Sequence, residues 1–501
     1  MFQQLIQLQQ RLLAAQWKRS WSTAKQPDKQ KRASEAPEAQ ATKAKAKDRK
    51  KSGATSEGVV AQNDPPKSCL TNKKTTFGPL HDCDRVFQNL YGCHDWRITG
   101  ACKRGDWYRT ADLLDKGPDW IMDQVCQSGL RGRGGGGYFS GTKWNFLRTA
   151  EANADKVLVM NCAEGEPGTC KDREILRHEP HKLIEGCLLA GFAMGCTRAI
   201  IYVRNRFYNE ACNLQFALAE AYRHGLLGSS ACSTGIRFDI LVQRGDRYLC
   251  GEETALVKCL MGEIGRPRRR PPFLTEKGYF SHPCLVINAE SVAVLPTILR
   301  RGPRWWADLG RSYNSGTKLF NISGHVNCPC TVEEEMSMPM RDLIEKHAGG
   351  VRGGWDNLLA VFPGGLSTSL INKQVAAEVL MDFECLEAAG SSLGSGALIV
   401  VNKQSDPIKV MLRSIQFYEK HTCKQCTYCR DGAIWLPELF DRFVRGEAHP
   451  HEIDWTVAIG KKIKDSNPIC GLAQGQVNVA CSLVDNFRPQ IEDRILNCIK
   501  A

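Results

Sequence analysis

KVLVMNC, Lys156 to Cys162, is a short apolar run that suits a buried strand, and the chain beyond it alternates. HKLIEGCLLAGFAMG (181–195) has helical spacing and AIIYVRN (199–205) is again strand-like. NEACNLQFALAEAYRHG (209–225) is helical and FDILVQRG (238–245) is strand-like. This strand–helix–strand–helix–strand order predicts a parallel sheet with helices on its faces. On such sheets ligands sit beyond the carboxyl ends of the strands, and two of the chain's most unusual loops fall there.

The first loop is NCAEGEPGTCKDRE (161–174), where Glu164 and Glu166 flank Gly165 and Pro167-Gly168 makes a turn. Carboxylates at that place accept hydrogen bonds from ribose hydroxyls or an amide, and share the sign of a phosphate, so they do not contact one. A solvated acidic turn is the alternative. The second is YLCGEETALVKCL (248–260), in which Gly251 is read as starting a helix with Glu252 and Glu253 in its first turn. Acids at a helix start also suit the helix dipole, which gives them a structural reason to be there. A basic hinge, GRPRRRPPF (265–273), then brings Arg266, Arg268, Arg269 and Arg270 near Phe273. Guanidinium groups suit a pyrophosphate and the ring could stack on a base, unless this is a solvated basic loop.

Upstream of the first strand lies GLRGRGGGGYFSGTKW (129–144). Its glycine run exposes N–H groups that can cradle a phosphate, with Arg133 and Lys143 adding charge; a flexible basic loop is the alternative. It contains a literal G-x-G-x-x-G, but a dinucleotide fingerprint needs a strand before the glycines and a helix directly after. Here a helix-like segment, WIMDQVCQSGL, precedes, and YFSGTKW reads as an aromatic turn. A phosphate loop of another kind is expected.

At 501 residues the chain has room for about three domains. Its net charge is +13, but the first 27 residues hold Arg11, Lys18, Arg19 and Lys25 and no acid, with Leu5, Leu8, Leu12 and Ala15 at helical spacing. That start reads as a mitochondrial presequence, followed by a low-complexity basic linker to about residue 73. The charge is therefore weak support for nucleic-acid binding, and none is expected. No secretory signal precedes the 23 cysteines, so no disulfide framework is expected. The most apolar stretch, 183–203, is broken by Glu185 and Arg198, so no membrane span is expected. From 315 to 401, β-rich pieces around one helix, MRDLIEKHAGG, suggest a small α+β domain with no residue of evident chemistry.

The last hundred residues read as helices, with apolar stripes Ile408, Met411, Leu412, Ile415 and Leu436, Leu439, Phe440, Phe443. Between the stripes lies HTCKQCTYCRDG, in which Cys423, Cys426 and Cys429 stand three residues apart; Cys470 comes later, in SNPICGL. Three close thiolates and one distant cysteine are what a cubane iron–sulfur cluster asks for. Zinc, which more often takes two CxxC pairs, is the alternative.

Together these motifs resemble the flavoprotein-1, NADH-binding subunit family of mitochondrial respiratory complex I, over about residues 74 to 487. The match covers GLRGRGG, EGEPGTCKDRE, CGEETAL, SGTKLFNISGHV, GGWDNLLAVFPGG and CxxCxxC. The resemblance implies a Rossmann-like FMN and NADH domain (74–310), a β-grasp domain (311–402) and a helical [4Fe–4S] domain (403–501) held by Cys423, Cys426, Cys429 and Cys470. It implies FMN contacts at Gly132, Arg133, Gly134, Gly135, Lys143, Asn161, Glu164, Glu166, Tyr248, Gly251, Glu252, Glu253 and Asn288, with Glu164 and Glu166 as the catalytic pair. It places the NADH adenine against Tyr138, Phe146 and Phe273, with Arg270 where a lysine is usual and Glu253 at the ribose diol, favouring NADH over NADPH. The partners implied are a thioredoxin-like [2Fe–2S] subunit and the large iron–sulfur subunit, on the matrix side of the inner membrane.

The chain also departs from the family pattern. The family reads NADEGEPG where this chain has Cys162 and Ala163, and the missing aspartate is a flavin contact. Such a loss costs about 1–3 kcal/mol, roughly ten- to hundred-fold in affinity. Arg244-Gly245-Asp246-Arg247 replaces small residues before Tyr248, Phe139 and Leu274 replace prolines, and Cys284-Leu285 replaces two threonines. A diverged paralogue is expected, in two readings: a working NADH dehydrogenase subunit, or a non-catalytic structural or regulatory protein that keeps fold and cluster but binds FMN weakly. The intact cysteines and glutamate pairs favour the first.

Overall fold

The computed structural model describes residues 78–151 and 154–500; the expected presequence and linker lie outside the described residues. The elements that frame the site begin with helices α1 (Pro118–Ser128) and α2 (Ser140–Arg148). The alternating segment comes next as β1 (Lys156–Cys162), α3 (Lys171–His178), α4 (Pro180–Met194), β2 (Cys196–Arg204), α5 (Tyr208–Arg223) and β3 (Asp239–Gly245). Then come α6 (Glu253–Leu260), β4 (Cys284–Asn288) and α7 (Ala289–Ala293).

The four strands form one parallel sheet in the order β3-β2-β1-β4. Val159 at its centre pairs with Ile200 on one side and Val286 on the other. β1 is buried along its length except at Asn161, as a strand covered on both faces must be. β4 is not evident from the sequence, because CLVIN is too short to show a period. Helix α4 is buried at every residue but Phe192, which explains its nearly continuous apolar run.

The glycine loop is held at its neck. Gly129, at φ 66°, ends α1 in the left-handed conformation that only glycine adopts without cost. Gly132 N donates to Tyr138 O and Ser140 N to Leu130 O, each at 2.8 Å, which closes the loop before α2 begins. The aromatic turn expected at YFSGTKW is thus a helix start. A helix still precedes the glycines, so the dinucleotide fingerprint remains excluded.

A second sheet contains β5 (Thr317–Gly324), β6 (Cys330–Glu335), β7 (Leu358–Phe362), β8 (Ile371–Asn372) and β9 (Ala397–Asn402), in the order β8-β7-β9-β5-β6. β9 runs parallel to β5 and the other pairs are antiparallel. Its single expected helix is a short turn at Met340–Asp342 continued by a π-helical turn at Leu343–His347, and two further helices, Lys373–Glu378 and Phe383–Ala388, join it. The chain ends in α8 (Pro407–His421), α9 (Thr427–Arg445), α10 (Pro450–Asp465) and α11 (Leu472–Lys500). Ile408, Met411 and Ile415 pack against Leu436, Leu439, Phe440 and Phe443 in one apolar cluster. Among the described residues no helix is long and apolar enough to cross a membrane.

Candidate functional site

A cavity of about 530 Å³ opens beyond the carboxyl ends of β1 and β4, within the usual size of a cofactor site. Its floor and walls come from the glycine loop, the acidic loop, the turn before α6 and the first residues after β4. Gly134 and Gly165 keep it open: a Cβ at either would stand 3.0 Å from Asn288 Cβ or from the Tyr248 ring. Gly132, Gly134, Tyr138, Lys143, Asn161 and Asn288 line it, as do Glu164, Glu166, Glu252 and Glu253 of the two acidic loops, Tyr248, Gly251 and Arg270.

Each glutamate is held by a specific partner. Glu164, at φ 38° in a region few non-glycine residues occupy, accepts from Asp172 N (2.7 Å) and Arg173 N (2.9 Å) and so caps the start of α3. Burial pushes its carboxyl up to about 8, with the nearby Asp172 adding to the rise and Lys171 opposing it. Glu166 accepts from the Tyr248 hydroxyl (2.9 Å) and from Ser367 N (2.7 Å), and burial raises its pKa. Glu252 is the N-cap of α6, accepting from Thr254 N and Ala255 N at 2.9 Å each. Arg270 bridges Glu252 (2.7 Å) and Glu253 (2.9 Å), and Lys143 Nζ reaches Glu253 at 3.2 Å and Val286 O at 2.7 Å. Gly251 ends a 3-10 turn rather than starting the helix.

The raised pKa of Glu164 has a consequence for stability. A carboxyl whose folded pKa exceeds its unfolded value stabilises the fold at low pH and loses that contribution as pH rises. Between 4.5 and about 8 the unfolded chain ionises here before the folded one does. Glu164→Gln removes the titration, so wild type is expected to lose stability relative to the variant as pH rises through that window. Denaturation midpoints of both proteins at intervals across it check this; parallel curves would exclude it.

Several expected contacts lie elsewhere. Arg133 is fully buried and turns away from the cavity: its backbone N donates to Ser291 Oγ (2.7 Å), its Nη2 to Ser315 O (2.8 Å), and its guanidinium lies 5.6 Å from the Trp306 ring centre. Burial lowers its pKa to about 10. Gly135 lies outside the lining, and Phe146 and Phe273 are about half exposed and also outside it. Residues that the sequence did not point to take their place. Lys171 and Asp172 line the cavity, and Lys171 Nζ lies 2.7 Å from Asp172, 2.9 Å from Asn288 Oδ1 and 3.1 Å from Glu290. Ser367 and Ser395 reach the cavity from the second-sheet region, where no chemistry was expected.

Cys470, with Gly471 and Leu472, also lines the cavity. Burial pushes its thiol up to about 12, and Cys423 and Cys429 lie near enough to add to the rise. Ile469 N approaches Cys426 Sγ (3.5 Å), and Gln425 Nε2 donates to Pro267 O (3.0 Å), docking the cysteine loop on the basic hinge. The Tyr248 ring packs edge-on against Phe417 of α8, 4.8 Å between centres, tying the acidic ledge to the same helices. Among the described residues no three His, Cys, Asp or Glu side chains are gathered tightly enough for one metal ion.

Residues 125–297 match the Nuo51 FMN-binding domain family, 318–401 the SLBB domain and 409–494 the NADH-ubiquinone oxidoreductase-F iron-sulfur binding region. The chain is 53% identical over 422 residues to the mitochondrial NADH dehydrogenase [ubiquinone] flavoprotein 1 of Dictyostelium discoideum, covering 84% of this chain and 88% of that one. It belongs to the complex I 51 kDa flavoprotein family. The mitochondrial NADH-ubiquinone oxidoreductase 51 kDa subunit of Neurospora crassa is 51% identical, covering 84% of this chain and 86% of its own, and that of Aspergillus niger is 48% identical, covering 84% and 85%. The solved NAD+-reducing [NiFe]-hydrogenase in the air-oxidized state superposes with a TM-score of 0.71 at 28% identity, over 85% of this chain and 68% of that one.

Within the 51 kDa family frame, the departures sit away from the cavity. Ala163 is buried among Tyr202, Cys250 and Val159 and does not line it. Arg244 lies 5.4 Å from the Tyr208 ring centre, and Asp246 accepts from Arg204 (3.1 Å) and Arg206 (3.2 Å). With the exposed Arg247 they form an outer surface rather than a plug. The reading of a non-catalytic structural or regulatory paralogue that keeps the fold and cluster but binds FMN weakly finds no support.

Proposed function

We infer that this chain is the NADH-oxidising flavoprotein subunit of a complex I. The observation that carries this is one cavity joining the glycine loop, four glutamates and Cys470. Bound there, FMN would accept a hydride from NADH and release its electrons singly to a [4Fe–4S] cluster on Cys423, Cys426, Cys429 and Cys470.

The chain's own groups fit that task. The glycine loop presents backbone donors and Lys143 a cation; Asn161 and Asn288 also line the cavity, with the Asn288 amide held by Lys171 and Asp172. Glu164 spends both oxygens on α3 and is a positioning residue, while Glu166, fixed from two sides, lines the cavity where the ring system would bind. Glu253 is paired with two cations, so its repulsion of a second phosphate on the ribose is weaker than that of a free carboxylate. Tyr138 lines the cavity 6.5 Å from the Phe146 ring centre, and these two with the half-exposed Phe273 would be the surface on which adenine stacks.

The domains run 74–310, 311–402 and 403–501. The β-grasp reading of the second rests on its strand order and on the single parallel pair at its centre. The docking partners are a thioredoxin-like [2Fe–2S] subunit and the large iron–sulfur subunit, on the matrix side of the inner membrane; the similar proteins of Dictyostelium, Neurospora and Aspergillus are named as mitochondrial. An anaerobic absorption spectrum of the reconstituted protein tests the whole reading. A flavin band that bleaches on NADH is expected, and cluster absorbance without flavin would overturn it. Lys143→Met removes a charged hydrogen bond worth about 1.5–3 kcal/mol, so flavin affinity should fall roughly ten- to hundred-fold. Unchanged affinity in a flavin titration would remove Lys143 from the site.

A further inference from the structure

Behind the acidic ledge lies a pair of thiols that the electron-transfer reading does not use. Leu249, Gly251 and Glu252 face the cavity, while the Cys250 side chain between them points the other way, into the apolar cluster under the sheet. Cys259, near the end of α6, turns to the same spot. A Cβ built on Gly265 would touch both, 3.3 Å from Cys250 Sγ and 3.5 Å from Cys259 Cβ. The buried Tyr202 hydroxyl lies 3.5 Å from Cys259 Sγ and belongs to the same apolar cluster as Cys250. Cys250 is wholly buried, whereas Cys259 is partly open to solvent.

We propose that Cys250 and Cys259 are an oxidative modification site, a thiol pair behind the nucleotide cavity that closes to an intramolecular disulfide. A hydroperoxide is the oxidant. The Cys259 sulfur attacks its outer oxygen, the O–O bond breaks, and Cys259 becomes a sulfenic acid while an alcohol or water leaves. The Cys250 sulfur then displaces the sulfenic oxygen as water, forming the S–S bond; two thiols have lost two electrons and two protons to one peroxide. The order is set by access: solvent reaches Cys259 first, while the buried Cys250 thiol can meet only the sulfenic acid formed beside it, in an intramolecular step. The bond ties the turn carrying Leu249, Gly251 and Glu252 to the far end of α6. A dithiol reductant reverses it.

The test is peptide mapping of the full chain after brief hydrogen peroxide treatment and alkylation. A cross-linked pair of peptides holding Cys250 and Cys259, lighter by two hydrogens, restored by dithiothreitol and absent from Cys259→Ser, is expected. Cys259 oxidised to sulfinic acid with Cys250 still alkylatable after unfolding would overturn the proposal. So would a disulfide from either residue to another cysteine, or no reaction at the pair while the exposed Cys126 is oxidised. The pairing needs no bound cofactor, so its failure leaves the flavoprotein reading standing, and the reverse holds.

Discussion

Replacing Cys470 by alanine is expected to abolish most of the iron–sulfur absorbance while leaving a flavin band that still bleaches on NADH. A cubane cluster needs four protein ligands. Three of the four expected here arrive together, on the loop before α9 and its first turn; the fourth comes from the turn before α11. That last residue alone of the four lines the cavity. The glycine loop, the glutamates and Lys143 lie on other elements and are untouched by the change. Reduction of a one-electron acceptor dye should therefore fall far more than flavin bleaching does. Cys481, one of the thiols of α11, is the control: Cys481→Ala should keep the cluster. Full cluster absorbance in Cys470→Ala would remove it from the ligand set.

Lys171→Met is expected to destabilise the protein by about 3–5 kcal/mol, because it leaves buried acids without their cation. Lys171, Asp172 and Glu290 are all nearly inaccessible. Burial pushes Glu290 up, but Lys318, Lys171 and Arg133 together outweigh it and hold the carboxyl below its usual range. Lys318 stays 3.6 Å from Glu290 in the variant, so the acid that loses its ion-pair partner is chiefly Asp172, 2.7 Å from Lys171. The urea midpoint reads the loss, and adding Glu290→Gln to Lys171→Met should recover part of it. A midpoint equal to wild type would show the network to be energetically idle. Lys171 and Asp172 also line the cavity, so flavin content should fall in the same variant.

Whatever is local or periodic in this protein is legible in the chain alone. The alternation from Lys156 onward set a parallel sheet, since a period of two or 3.6 needs no knowledge of distant residues. Strand ends then placed both acidic loops at one edge, and cysteine spacing marked the cluster. Which way side chains turn, and what meets across the chain, was settled by packing. The glycine-loop arginine, Arg133, looked like a phosphate ligand but is drawn inward to the Ser315 carbonyl. Ser367 meets Glu166 across two domains' worth of sequence, and Gln425 docks on Pro267. Ala163 and Arg244 to Arg247 adjoin site residues along the chain but do not line the cavity in the fold. Ala163 packs into the apolar cluster with Tyr202 and Cys250, and Arg244 lies against the Tyr208 ring. Contacts of this kind depend on how layers stack, and stacking leaves no period in the chain to read.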